Sequence, residues 1–281
     1  MPIARVQELT ERCYAGGNQW EAGFRKVPAN ASLQGIWADL SSAPGTPKPN
    51  YYVGAELTST VLSGANGIWH GGDVSPKTKH LHKVMVIATG AGVTPAVFML
   101  CDYLLFYPLV DMDSTDEQAL VNSVPLPRYS DGVGVRAMLI STNPYVGGAQ
   151  FTIKYTDHLG VSGKQSARHT SNTATFIGTS VSSGLVAGSF GPFLNVSGNG
   201  IRSVESVTFY GSNGGLAALV LVKPLATFMT NEVSASAEWD FVSMKPTLPR
   251  IYDGAYLGLM ASPNGSVAAS PITGLVSVIW N

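Results

Sequence analysis

Leu126-Pro127-Arg128-Tyr129-Ser130-Asp131-Gly132 is restated 122 residues later (248 − 126) as Leu248-Pro249-Arg250-Ile251-Tyr252-Asp253-Gly254. Both stretches read Leu-Pro-Arg, two variable positions, then Asp-Gly. The match continues downstream at the same offset, with Val135 against Leu257, Ala137 against Leu259 and Met138 against Met260. Self-similarity at a fixed offset governs architecture ahead of any local pattern. A period this long describes a duplicated domain, not a solenoid repeat.

The likeness extends outward from the two heptads. Ahead of the first, residues 81–86 lead through Gly90-Ala91-Gly92 into an apolar run, 98–106, that stops at Pro108-Leu109. Ahead of the second, residues 201–210 lead through a glycine-rich turn, 211–215, into 216–222, which stops at Pro224-Leu225. Each reads as strand, glycine turn, apolar strand and Pro-Leu stop. Beyond each Asp-Gly comes a strand, a turn (Asn143-Pro144; Pro263-Asn264-Gly265) and a closing strand. Phe151, Ile153 and Tyr155 alternate in the first closing strand, and Val276, Val278 and Trp280 in the second. Such period-two alternation marks half-buried antiparallel strands.

The heptad itself has the chemistry of a corner. Pro127 and Pro249 lack an N–H and fix φ, which suits a strand entrance. Asp131-Gly132 and Asp253-Gly254 supply turns, the carboxylate bonding nearby amides and the glycine free to take positive φ. Arg128 and Arg250 are expected to pin each corner through its own aspartate, a structural reading favoured over Arg plus Asp as a duplicated binding pair.

Composition narrows the class. Charged residues make up only 12% of the 281, about half the share usual in globular domains, while apolar residues reach 45%. With 31 glycines and 17 prolines, the chain suits many short strands joined by turns, with surface hidden against other subunits. A net charge of −1 without a Lys/Arg cluster argues against nucleic-acid binding. Cys13 and Cys101 fit neither a disulfide framework nor a metal-spaced pair. The opening residues lack the apolar core of a secretory signal. The longest apolar stretch, 96–110, is interrupted by Asp102 and too short to span a bilayer.

Organisation follows. Ile3, Val6, Leu9 and Cys13 fall on one face behind Pro2, which predicts a short helix over residues 2–13. Residues 14–49 are irregular and punctuated by Trp20, Phe24 and Trp37. The expected fold is all-β: an N-terminal arm (1–50) carrying that helix, then two tandem antiparallel, jelly-roll-like β-sandwich lobes at 51–163 and 164–281.

Candidate chemistry is sparse. Asp111, Asp113, Asp116 and Glu117 lack calcium-loop spacing and read as a charged inter-strand loop. His80 and His82 share a strand face, with His70 near in sequence, but Lys77, Lys79 and Lys83 surround them, so an exposed polar face is favoured over a metal site. Cys101 lies in an apolar strand that suppresses its thiolate. His158 and His169 have no recognisable nucleophile pattern, and no Gly-x-Ser-x-Gly elbow occurs. Tyr51, Tyr52, Tyr145, Tyr252 and Tyr256 are candidates to stack on sugar rings, although tyrosine is equally ordinary in sheets. No catalytic residue, cofactor or metal is expected.

In its duplication, N-terminal arm and low-charge, glycine-rich β composition, the chain resembles virion structural proteins of tailed bacteriophages. The resembling class is the head decoration (cement) and minor capsid proteins built from jelly-roll-like sandwiches. That resemblance implies a non-enzymatic, capsid-stabilising role in the virion, with this chain itself (as a homotrimer) and the major capsid or other virion proteins as partners. The arm would grip a neighbour through Ile3, Val6, Leu9, Trp20 and Phe24. Two alternatives stand beside it: a carbohydrate- or receptor-binding module of a tail fibre or adhesin, and a polysaccharide-acting enzyme with paired carboxylates.

Overall fold

The computed structural model describes residues 6–174, 176–183, 191–244 and 248–281, and antiparallel strands dominate it. Ten strands carry the fold. They are β1 (Gln19–Lys26), β2 (Lys79–Ala88), β3 (Ala96–Asp111), β4 (Arg136–Ser141), β5 (Gln150–Asp157), β6 (Ile201–Phe209), β7 (Leu216–Thr230), β8 (Ser236–Asp240), β9 (Tyr256–Pro263) and β10 (Ile272–Trp280). They form three sheets. A central sheet runs β9-β3-β7-β4; a second runs β8-β2-β10-β1; the third pairs β5 with β6. Short strands extend all three.

The two copies of the repeat, β2 to β5 and β6 to β10, have matching strand order and exchange strands. In the third sheet Phe151 of β5 faces Phe209 of β6. Adding 122 to Phe151 and to Ile87 gives Thr273 and Phe209, and Thr273 of β10 faces Ile87 of β2. The closing strand of each copy therefore lies beside the opening strand of the other. The same holds in the central sheet, where β9 pairs with β3 and β4 with β7. Even the minor strands correspond: Gln118–Ala119 pairs with β6 as β8 pairs with β2.

Strand length explains the arrangement. β3 has 16 residues and β7 has 15, which at about 3.3 Å per residue reach ~50 Å. That is far more than one sandwich needs, since strands ordinarily run to about five or six residues. Paired along their whole length, β3 and β7 act as a common wall for two sandwiches. Phe98 and Leu100 of β3 join Ala226 and Phe228 of β7 in one core, with Val84 and Val86 of β2 and Val276 and Val278 of β10. Farther along, Leu104 and Tyr107 join Leu219 and Leu221 in a second core, with Phe151 and Ile153 of β5 and Val204 and Val207 of β6. The opposite parity, Met99, Cys101 and Tyr103 with Val220 and Val222, faces outward under Trp37, Tyr52 and Leu62 from the irregular leader. With both faces buried, these strands need the near-continuous apolar runs seen in the sequence.

The structure is thus all-β with two sandwich lobes, but neither lobe is a contiguous piece of chain. Division at 163/164 separates every pair of neighbours among the ten strands: β1 and β2 from β10, β2 from β8, β3 from β7 and β9, β4 from β7, and β5 from β6. Periodicity identifies a strand and its buried face; it carries no information on which equivalent strand will be the neighbour.

The leader also departs from a free arm over 1–50. A helical turn at Val6–Glu8 continues as a π-turn over Leu9–Tyr14. β1 then adds to the second sheet through eight register pairs with β10, from Gln19·Ile279 to Lys26·Ile272. Its inward residues obey strand alternation, Ala22 and Phe24 entering the first core.

Candidate functional site

The two heptads meet through their tyrosines, with most of their other residues exposed or half-buried. Tyr129 and Tyr252 pack edge to face with ring centroids 5.0 Å apart, and Gly254 lies beside the Arg128 guanidinium. The first corner is closed by Gly132 donating to Tyr129 O at 2.7 Å. Gly132 has φ +72°, and a Cβ there would meet Ile201 O at 2.6 Å, so the position requires glycine. At the second corner Ala255 donates to Tyr252 O at 2.9 Å.

The arginines do not pin these corners through their own aspartates. Arg128 reaches Asp102 of β3 with a two-pronged bond, Nε to Oδ2 at 2.9 Å and Nη2 to Oδ1 at 2.7 Å, and also donates to Tyr103 O at 3.0 Å. Asp102 is buried and further accepts the amide of Tyr256 at 3.1 Å. Burial outweighs the guanidinium and holds the Asp102 carboxyl above its ordinary range. Asp131 instead closes its own turn by accepting the Val133 amide at 3.0 Å. In the β3·β7 ladder the residue equivalent to Asp102 is Lys223, its own partner across the pair. Without a carboxylate there, Arg250 lies over the Tyr252 ring, 4.2 Å from its centroid. Pro127 and Pro249 precede these arginines, and Pro249 O accepts the Leu81 amide at 2.8 Å.

Asp253 serves a different cation. The fully buried Lys79 ammonium contacts Asp253 Oδ1 at 3.1 Å, Gly72 O at 2.7 Å and His70 Nδ1 at 3.3 Å. His70 Nε2 lies 2.9 Å from Ala255 O, so Nε2–H donates there and Nδ1 accepts from Lys79. All three donors of the ammonium are engaged, which satisfies a buried charge.

The remaining candidates do not converge. His80 Nδ1 approaches Leu248 O at 3.3 Å, and His82 Nε2 bonds Tyr14 at 2.9 Å. His158 and His169 accept the amides of Asn199 and Asn195. Asp111 accepts the Asp113 amide and Asp113 the amide of distant Gly214, whereas Glu117 pairs with Lys154 at 2.8 Å. Among the described residues no group of three or more His, Cys, Asp or Glu side chains is arranged to hold a metal. Cys13 and Cys101 are both buried, the Cys13 thiol donates to Trp280 O at 3.6 Å, and burial pushes the Cys101 thiol up. Of the sugar-stacking candidates, Tyr52, Tyr145 and Tyr256 are buried and Tyr252 is covered by Arg250; Tyr51 is 63% exposed.

The arm's anchors mainly grip this chain. Leu9 packs with Cys13 and Ile279, and Phe24 lies in the first core over Gly274. Trp20 leans on Gly71 and stays 44% exposed. Val6 begins the helical turn, and Ile3 lies outside the described residues.

A polar cluster that no sequence spacing announces holds the leader to the central sheet. Buried Asp39 accepts from Tyr52 and Ser41 hydroxyls at 2.6 Å each and from Tyr103 at 2.8 Å, along with the Ser41 amide at 2.9 Å. Nearby, Lys26 donates to Pro47 O at 2.6 Å and Ala43 O at 3.1 Å, and burial lowers its pKa to about 8.

Four histidines respond to pH with one sign. Burial, aided at His70 by Lys79 and at His80 by Arg250, depresses the pKa of His70, His80, His82 and His169. The folded chain therefore binds fewer protons than the unfolded chain below the free histidine pKa of about 6.5. Their contribution is complete above that pH and is lost as pH falls through the folded-state values. Urea midpoints are expected to decline from about pH 7 to about pH 5; a flat profile across that window contradicts the assignment.

No helix among the described residues is long and apolar enough to cross a membrane. No protein-family model matches the chain, and no curated protein matches it. Among solved structures it is similar to a chain of the T13 particle of infectious bursal disease virus, at 9% identity and TM-score 0.18, covering 94% of this chain and 78% of that one. A structure of the Gt strain of the same virus gives 7% identity and TM-score 0.17, covering 93% and 80%. Scores of this size identify neither fold nor function, so the functional reading rests on the chain's own residues.

Proposed function

We propose that this chain is a non-enzymatic structural component of a virion, and specifically a head decoration (cement) protein that stabilises a bacteriophage capsid as an oligomer. The observation that carries the reading is the exchange of strands between the two copies, which makes one block that cannot separate into halves. Such a block suits a part that must hold shape under load. The low charge supports surface covered by neighbours, and the buried ionic groups at the corners are engaged in structural bonds. The partners in this reading are further copies of the chain, in a trimer presenting six lobes, and the underlying shell.

The test is to add the purified chain to capsids that lack it and to sediment the particles. Saturable binding in a fixed ratio to the shell subunit, with a raised shell melting temperature, is expected. Absence of binding sinks the reading. Selective binding on a glycan array would replace it with the receptor-binding alternative, and polysaccharide turnover with the enzyme.

A further inference from the structure

The two copies differ in how the outer edges of the shared wall are covered. On β3, the edge opposite β7 is capped by the short strand Thr60–Val61, with Thr60 facing Phe106 and Val61 facing Leu105, and Leu62 donating to Leu104 O at 3.1 Å. In the β3·β7 register Thr227 faces Met99 and Val220 faces Phe106. Adding 121 to Phe106 and to Met99 gives Thr227 and Val220, so exchange of the copies maps one pair onto the other. The counterpart of the capped edge is therefore residues 225–230 of β7. Among the described residues no strand pairs there, because β4 stops at Val222. Among the described residues no backbone hydrogen bond outside the β3 ladder reaches these six residues.

This edge has the properties that proteins usually remove from exposed strands. Leu225-Ala226-Thr227-Phe228-Met229-Thr230 carries no charge, whereas open edges are normally blunted by lysine, proline or bulges. Pro224 and a bulge at Leu225 blunt only the start of the stretch; Ala226 to Thr230 run in unbroken register with β3. Met229 is 56% exposed on the outward face, and among the described residues the buried Thr230 hydroxyl has no hydrogen-bond partner.

We propose that residues 225–230 of β7 pair antiparallel with the same residues of a second copy, so that the central sheet continues across a two-fold axis. A second copy fits because its edge is equally uncharged and so brings no like-charge opposition. Directly opposed residues must share a face, so the pairing centres on a residue rather than between two, and we place that centre at Phe228. Thr227 of each copy then faces Met229 of the other, covering the exposed side chain. Such an isologous contact joins chains in pairs whatever further symmetry an assembly has, and it does not depend on the virion reading.

Light scattering of the full chain over a concentration series tests it. The unmodified chain is expected to form pairs, and T227K/M229K, which sets lysine opposite lysine twice, to weaken them by roughly tenfold or more. T227E/M229K, which sets glutamate opposite lysine, should restore them. Both positions face outward, and unchanged circular dichroism and melting of Met229→Lys alone will separate loss of pairing from loss of folding. A chain that is monomeric throughout the series, pairs indifferent to T227K/M229K, or failure of T227E/M229K to restore them each overturns the proposal.

Discussion

Cut between Gly163 and Lys164, the chain should yield two fragments that are unfolded apart and fold when mixed. The cut lies in a turn beside the exposed Leu159 and Val161, where cleavage alone is tolerated. Separation, in contrast, removes every neighbour-to-neighbour pairing among the ten main strands. Loss of β10 by itself strips Ile272, Val276, Val278 and Ile279 from their buried positions. At about 1.5–3 kcal/mol each, these four side chains account for roughly 6–12 kcal/mol, as much as the whole stability of an ordinary domain. Each fragment should give a collapsed amide NMR spectrum, and the equimolar mixture a dispersed one. Dispersed spectra from the isolated fragments would show that the copies are self-sufficient.

The second large effect is expected at the first corner. Arg128→Ala leaves the buried Asp102 carboxylate with the Tyr256 amide alone, and breaking a buried pair in this way typically costs about 3–5 kcal/mol. Arg250→Ala removes a stacking contact on Tyr252 and no ion pair, so a loss of no more than about 1 kcal/mol is expected there. Urea unfolding of the two variants checks the contrast. Equal losses would mean that the Arg128–Asp102 geometry contributes nothing particular. Replacing both partners, R128M/D102L, should recover much of the deficit, because the desolvation penalty disappears with the charges.

These expectations show where sequence reading reaches and where it stops. The repeated heptad and its flanking alternation sufficed for an all-β fold, since turn chemistry and period two are local properties. Partner choice is not local. Asp102 stood in the sequence as an interruption of an apolar run, and nothing near it pointed to an arginine 26 residues onward. Asp39 gave no signal, because Tyr52 and Tyr103 are brought to it by the central sheet. Phe24 was legible as an anchor, but its seat over Gly274 depends on the β1·β10 pairing formed by opposite ends of the sequence. The tyrosines stood open between sheet packing and sugar stacking for a related reason: ring chemistry is the same in a core as on a sugar-binding face.

The register between β1 and β10 has a mechanical consequence. With Gln19 beside Ile279, the start of β1 and the end of β10 lie at the same rim. A pull between those two points opens the ladder rung by rung, at low force. Tension directed along β3 and β7 must instead shear thirteen register pairs together. The molecule is soft to peeling at one rim and stiff along its long axis.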